Sequence, residues 1–148
     1  MSSIHPQLLS LLDEAFDKKS WHGPNLRNSL RGVSAETAAW RPRPQLHNIW
    51  EYALHAAYWK YVVRRRITGE TRGSFVLPGS NFFPRPTDPT EAAWKKDIES
   101  LVTMHQDLRY AVLHLDSTSP KTEHLIRGAA AHDLYHAGQI RLLRRMSA

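Results

Sequence analysis

Residues 69–88, GETRGSFVLPGSNFFPRPTD, constrain the fold of this chain more than any other stretch. They carry glycine at 69, 73 and 79 and proline at 78, 84 and 86, with no helical period. A long apolar-periodic segment lies on each side. Twenty extended residues reach at most about 66 Å, whereas a helix over 48–68 is about 31 Å long. The connection is therefore long enough to cross a helical bundle and leave the two helices it joins parallel. A short loop would force them antiparallel.

The flanking segments read as helices. Leu8, Leu11, Leu12, Ala15 and Phe16 recur at helical spacing, and Pro6 suits a first turn, which predicts a helix over about 6–18. Trp21-His22-Gly23-Pro24 breaks the chain. A short helical piece over about 24–31 follows, and Ser34-Ala-Glu-Thr37 offers one more helical start. The second main helix spans about 48–68, with Asn48 and Glu51 spaced as a capping box and Gly69 as its stop. The third begins at Asp88-Pro-Thr-Glu91, with Asp88 expected as the cap, and runs to about His114. Trp94, Ile98, Leu101, Val102, Leu108, Val112 and Leu115 are its inward residues. The fourth spans about 121–146. No β-alternating run competes with these. The expected fold is all-α: a single domain over 1–148, built as a four-helix bundle with a long crossover between helices 2 and 3.

Histidines lie on two of these helices in a pattern that points to metal. His132 and His136 have i,i+4 spacing, which places two imidazoles on one helix face a turn apart. Both fall on the stripe Leu125, Ala129, His132, His136, Ile140, Leu143, which is expected to face the core. Buried imidazoles need partners. A third ligand from another helix, completing a metal site, would supply them. His55 is the candidate, since it shares a face with Tyr52, Tyr58, Trp59 and Val62. Three protein ligands leave a coordination position open, the pattern of catalytic rather than structural zinc. One divalent metal per chain is expected, zinc or nickel foremost, with manganese, iron or cobalt also compatible.

The neighbours of these histidines carry two readings each. Glu51, one turn before His55, is either the capping-box partner or a hydrogen-bond partner of the His55 ring and a base. His47 is a rival ligand, a support to the ligands, or exposed. His132-Asp-Leu-Tyr-His136 has the spacing of the zincin motif with Asp133 in place of the glutamate base. Aspartate is one methylene shorter, and the twelve following residues contain no His, Glu or Asp, so a zinc protease is not expected. Asp133 falls about 100° off the histidine face, at the surface or behind the ligands. Tyr135 flanks the pair, and Gln139 either bonds a ligand or makes an interhelical bond. His22 would cover the open face from its loop. His5, His105, His114 and His124 belong to no constellation.

Composition removes several alternatives. The chain has no cysteine, which excludes disulfides, thiolate zinc sites, iron–sulfur clusters and a cysteine nucleophile, and fits a cytoplasmic location. The first residues lack a basic region followed by an apolar one, so no signal peptide is expected. No 18-residue apolar run predicts a membrane span. The net charge is +6. Arg64, Arg65 and Arg66, and Arg141, Arg144 and Arg145, sit at predicted helix C-termini, where cations complement the helix dipole. They are too short and too poor in interleaved aromatics to predict a nucleic-acid surface.

Two stretches resemble the DinB-like superfamily, whose members include YfiT-like metal-dependent hydrolases. HNIWEYALHAAYWKYVVRRRITGE, residues 47–70, has His55 at the ligand position of the second helix. HDLYHAGQIRLLRR, residues 132–145, carries the pair on the fourth. The resemblance implies a four-helix bundle with a long crossover, a divalent metal held by His55, His132 and His136, and a homodimer. It also implies a small-molecule substrate. Members of known activity often transfer low-molecular-weight thiols such as bacillithiol or mycothiol, or isomerise maleylpyruvate with one.

Three functions follow as expectations. The first is a metal-dependent transferase of the detoxification type, using a low-molecular-weight thiol cosubstrate. The second is a hydrolase with metal-activated water and Glu51 or Asp133 as base. The third is a non-catalytic bundle that uses metal for stability or stress sensing. The hydrolase requires a carboxylate at the metal; walls of Tyr, Trp and His alone argue against it.

Overall fold

The helix that carries His55 is fixed at both ends by its own sequence. The Asn48 side chain accepts the Glu51 amide and the Glu51 carboxylate accepts the Asn48 amide, so the capping box is complete. Gly69 ends the helix at φ 79°, a left-handed conformation that costs a glycine nothing, with its amide bonded to the Arg65 carbonyl. The computed structural model describes residues 4–148. Among these residues there are six helices and no strands: α1 (Ile4–Phe16), α2 (Leu26–Leu30), α3 (Ala35–Ala39), α4 (Ile49–Thr68), α5 (Glu91–Leu113) and α6 (Pro120–Ser147).

The four long helices close a ring of contacts: α4 packs on α5 and α6, and α1 packs on the same two. Their directions follow from which residues meet. Trp50 meets Trp94, Lys60 meets His105 and Arg64 meets Asp107, so α4 and α5 run the same way. Residues 69–90 connect them. Tyr52 meets His136 and Trp59 meets His132, so α4 and α6 run in opposite directions. Trp50 and Arg85 both donate to Asp97, at 2.7 and 2.9 Å, which ties α4, the crossover and α5 at one carboxylate.

Three local expectations need correction. α5 is capped by Thr90, which accepts the Ala93 amide; Asp88 instead accepts the Thr90 amide in the preceding turn. The later start frees Glu91 to accept the Ala35 amide at 2.7 Å, joining α3 to α5. The first helix ends at Phe16 rather than 18, because the amides of Asp17 and Lys18 both turn onto the Asp13 carbonyl. The buried face of α6 is rotated from the predicted stripe. Its centre runs through Ile126, Ala130, Asp133, Ala137 and Ile140, with Asp133 fully buried and His132 only half-buried.

That aspartate marks a seam between two apolar cores. One gathers Trp50, Leu54, Trp94, Leu101 and Ile140; the other gathers Leu8, Leu12, Leu108, Val112 and Ile126. Lys60, His105 and Asp133 lie where α4, α5 and α6 pass from one to the other, with exposures of 2%, 2% and 0%. Lys60 donates to Asp133 and to Nδ1 of His105, 3.1 Å away. Phe16 stacks on His105 at 3.8 Å and lies under the Lys60 ammonium.

Candidate metal centre

The three histidines expected to meet do so. Nε2 of His55, on α4, lies 3.1 Å from Nε2 of His136 and 3.1 Å from Nε2 of His132, and the two α6 nitrogens are also 3.1 Å apart. The i,i+4 spacing delivers two corners of this triangle, and the α4–α6 contact delivers the third.

The outer ring nitrogens decide what occupies the triangle. Nδ1 of His55 lies 3.0 Å from the Asn81 carbonyl, which can only accept, so Nδ1 carries the hydrogen and Nε2 a bare lone pair. Nδ1 of His136 faces Oε1 of Gln139, with the same consequence. Two lone pairs thus confront each other at 3.1 Å with no proton between them. A proton on one ring would relieve this, but burial and the neighbouring imidazole push His55 down to about 4 and burial lowers His136. Burial and both neighbouring histidines take His132 to about 3. The rings are neutral at pH 7 and their lone pairs converge. Nitrogens each about 2.0–2.1 Å from one divalent ion lie about 2.8–3.4 Å apart at octahedral to tetrahedral angles. The triangle fits a metal, and among the described residues its donor set is nitrogen only.

The walls are aromatic. Phe82 stacks on His55 at 3.9 Å and on His47 at 3.6 Å, so the two histidine rings sandwich it. His47 lies outside the histidine group; it packs on Phe82 and bonds Glu51 at 3.2 Å. Tyr52 lies 5.1 Å from His136, and Trp59 flanks His55 and His132. Tyr135 is exposed, with its ring 5.0 Å from His136. Asn81 takes φ 69°, a left-handed conformation that asparagine tolerates. Its side chain accepts Nε1 of Trp59 at 3.0 Å while its carbonyl holds His55.

The carboxylates expected near the metal are committed elsewhere. Oε1 of Glu51 takes Arg41, His47 and the Asn48 amide, and Oε2 takes the Arg85 amide at 3.1 Å. Burial would raise its pKa, but these hydrogen bonds outweigh it and hold Glu51 below the usual carboxylate range. It does not bond His55. Asp133 is not at the surface: it is buried against Lys60, and burial raises its pKa to about 6 although Lys60 pulls the other way. Its Oδ1 has no partner among the described residues. His22 is exposed beside Pro24 and Arg141, outside the histidine group.

Asn81 and Phe82 were not legible as site residues, because a loop residue gives no periodic signal. Lys60 and His105 did leave one. A lone lysine inside AAYWKYVV, three and four positions after Ala57 and Ala56, lies on a buried helix face and requires a buried counter-charge. The side chain of His5 lies outside the described residues.

Residues 20–140 match the family model described as the DinB superfamily, and the chain belongs to that superfamily. Among the described residues, the His55–His132–His136 group is able to hold a metal ion. No curated protein and no solved structure matches the chain.

Proposed function

We propose that this protein is a metal-dependent transferase that uses a low-molecular-weight thiol as cosubstrate. The observation that carries the reading is the all-nitrogen triangle of His55, His132 and His136, with aromatic walls and both nearby carboxylates already committed. A divalent metal held there would lower the pKa of a bound thiol, giving a thiolate at neutral pH. A thiol needs less help losing its proton than water does, so the lack of a free carboxylate base favours thiol over hydrolytic chemistry. The thiol is a second substrate, because the chain has no cysteine.

In this reading the chain's own residues position and shelter. Asn81 and Gln139 fix the ligand tautomers, so the lone pairs converge. Phe82, Tyr52 and Trp59 exclude water from the buried side. Half-buried His132 and exposed Tyr135 mark the side from which substrates enter. The four long helices form the bundle, with residues 69–90 as its crossover. The assembly is a homodimer, as the family resemblance implies.

The test is cobalt-loaded protein titrated with N-acetylcysteine and with glutathione, followed by assay with monochlorobimane. A new thiolate-to-cobalt absorption and a conjugation rate above background, both lost in His55→Ala and His136→Ala, are expected. Thiol-independent cleavage of p-nitrophenyl acetate, without the new absorption, would overturn the proposal in favour of hydrolysis.

A further inference from the structure

The arginine run at the end of α4 does not behave as one unit. Arg64 pairs with Glu70 and Asp107. Arg65 and Arg66 have no carboxylate partner among the described residues, and neither does Arg72. These three line one cavity of about 710 Å³ between the C-terminal half of α4 and the first part of the crossover. No acidic residue lines it. Cations at a helix C-terminus are satisfied by the helix dipole alone, but Arg72 lies beyond the helix and has no such explanation.

The remaining walls are flat and apolar. Trp59, Tyr58 and Phe75 are half-buried and line the same cavity. The loop wall is held in place. The Tyr61 hydroxyl accepts the amides of Gly73 and Ser74, each at 3.2 Å, and Phe75 packs against Tyr58, Tyr61 and Phe83 at 5.3–5.4 Å. Gly73 makes this approach at φ 99°. The volume is within the range of about 300–1,000 Å³ usual for small-molecule sites.

We infer that this cavity is a binding site for a small organic anion with a flat apolar body, its charged group held by Arg65, Arg66 and Arg72 and its body laid against Trp59 and Phe75. Guanidinium groups favour phosphate, sulfonate or carboxylate oxygens. A half-open cavity bounded on one side by a loop suits a compact molecule better than a nucleic-acid strand, which needs a groove that tracks several nucleotides. Trp59 is a wall common to this cavity and the histidine triangle, its ring 6.5 Å from His55 and 6.4 Å from His132. The inference stands on the cavity's own residues and does not require the metal reading.

The experiment is calorimetric titration of the full chain with 1-naphthyl phosphate, 1-naphthol and inorganic phosphate. It uses wild type, Arg65→Gln, Arg72→Gln and, to remove the metal centre as a competing phosphate site, His136→Ala. Saturable 1:1 binding of naphthyl phosphate is expected in wild type and His136→Ala alike, weakening with salt. Each arginine variant should bind about tenfold more weakly, the scale of one lost guanidinium–phosphate pair, with melting temperature unchanged. Equal affinity for 1-naphthol, undiminished binding in both arginine variants, or loss of binding in His136→Ala would overturn the inference. So would absence of binding at millimolar ligand, or displacement of naphthyl phosphate by tighter binding of a single-stranded oligonucleotide.

Discussion

The Nδ1 of His55 and the carbonyl oxygen of Asn81, 26 residues apart in sequence, lie 3.0 Å from each other. A candidate metal ligand on α4 is thereby aimed by the backbone of the segment that follows the helix. The aim depends on the left-handed conformation at Asn81 rather than on its side chain. Asn81→Gly keeps that conformation and loses only the bond to Trp59, a cost of about 1 kcal/mol. Asn81→Val adds a further cost of about 1–2 kcal/mol, because a β-branched residue resists φ near 69°. Urea unfolding and metal retention after dialysis should rank wild type, Gly and Val in that order. Equal behaviour of the two variants would show that the backbone conformation is not what aims the ring.

Removing either α4 or α6 from the triangle should release the metal. His55→Ala and His136→Ala are expected to purify metal-free by elemental mass spectrometry, while wild type carries about one divalent ion per chain. Chelation of wild type should lower its melting temperature. An ion present at about 100 times its dissociation constant contributes about 2.7 kcal/mol, which the alanine variants lack from the start.

The seam between the cores should respond asymmetrically. Asp133→Ala strands the Lys60 ammonium without its counter-charge and is expected to cost about 3–5 kcal/mol in urea unfolding. Lys60→Met should cost less, because burial already raises Asp133 to about 6 and the acid can take up a proton. The double variant Lys60→Met/Asp133→Leu should recover most of the loss. A double variant as unstable as Asp133→Ala would contradict this account.

Acid should destabilise the metal-free protein through its buried imidazoles. Burial lowers His55 to about 4, and burial with the Lys60 charge lowers His105 to about 2, against an unfolded value near 6.5. Below pH 6.5 the unfolded chain takes up protons that the native rings refuse. The stabilisation is complete above 6.5 and is lost as pH falls toward the native values. Between pH 6.5 and 5 the His105 ring accounts for about 1–2 kcal/mol, and solvent screening leaves His55 with less. Melting in chelator across this range checks it, and His105→Gln should flatten the slope.

What was legible in the chain was whatever a helix repeats. The inward face of α5 and the pairing of His132 with His136 follow from 3.6-residue spacing. The capping box at Asn48 and Glu51 and the stop at Gly69 are local end signals, whereas the approach of His55 to the pair comes from the α4–α6 contact. The pairing of the buried charges in the seam leaves no such signal. Asp133 lies one residue, about 100°, from His132, so a stripe drawn through the histidines leaves it off the face that is in fact buried. Lys60 meets it from α4, and His105, 45 residues further along on α5, meets Lys60. Burial of a charge depends on a partner from another helix, and no local pattern records that. Asn81 and Phe82 are invisible for a different reason, since their positions are set by how the crossover returns.

Glu51 begins α4 through the Asn48 amide and receives the Arg85 amide from the far end of the crossover. Tyr61 fastens the near end at Gly73 and Ser74. Tolerance to changes in loop length should therefore be uneven. An extra residue among the exposed positions 70–72 lies outside both fastenings and leaves the helix start untouched. The same residue added between Asn81 and Arg85 would shift the register of every contact that reaches His55, Phe82 and Glu51 at once. For anyone grafting a new loop onto this scaffold, an insertion just after Gly69 spares the histidine group, while one near Arg85 does not.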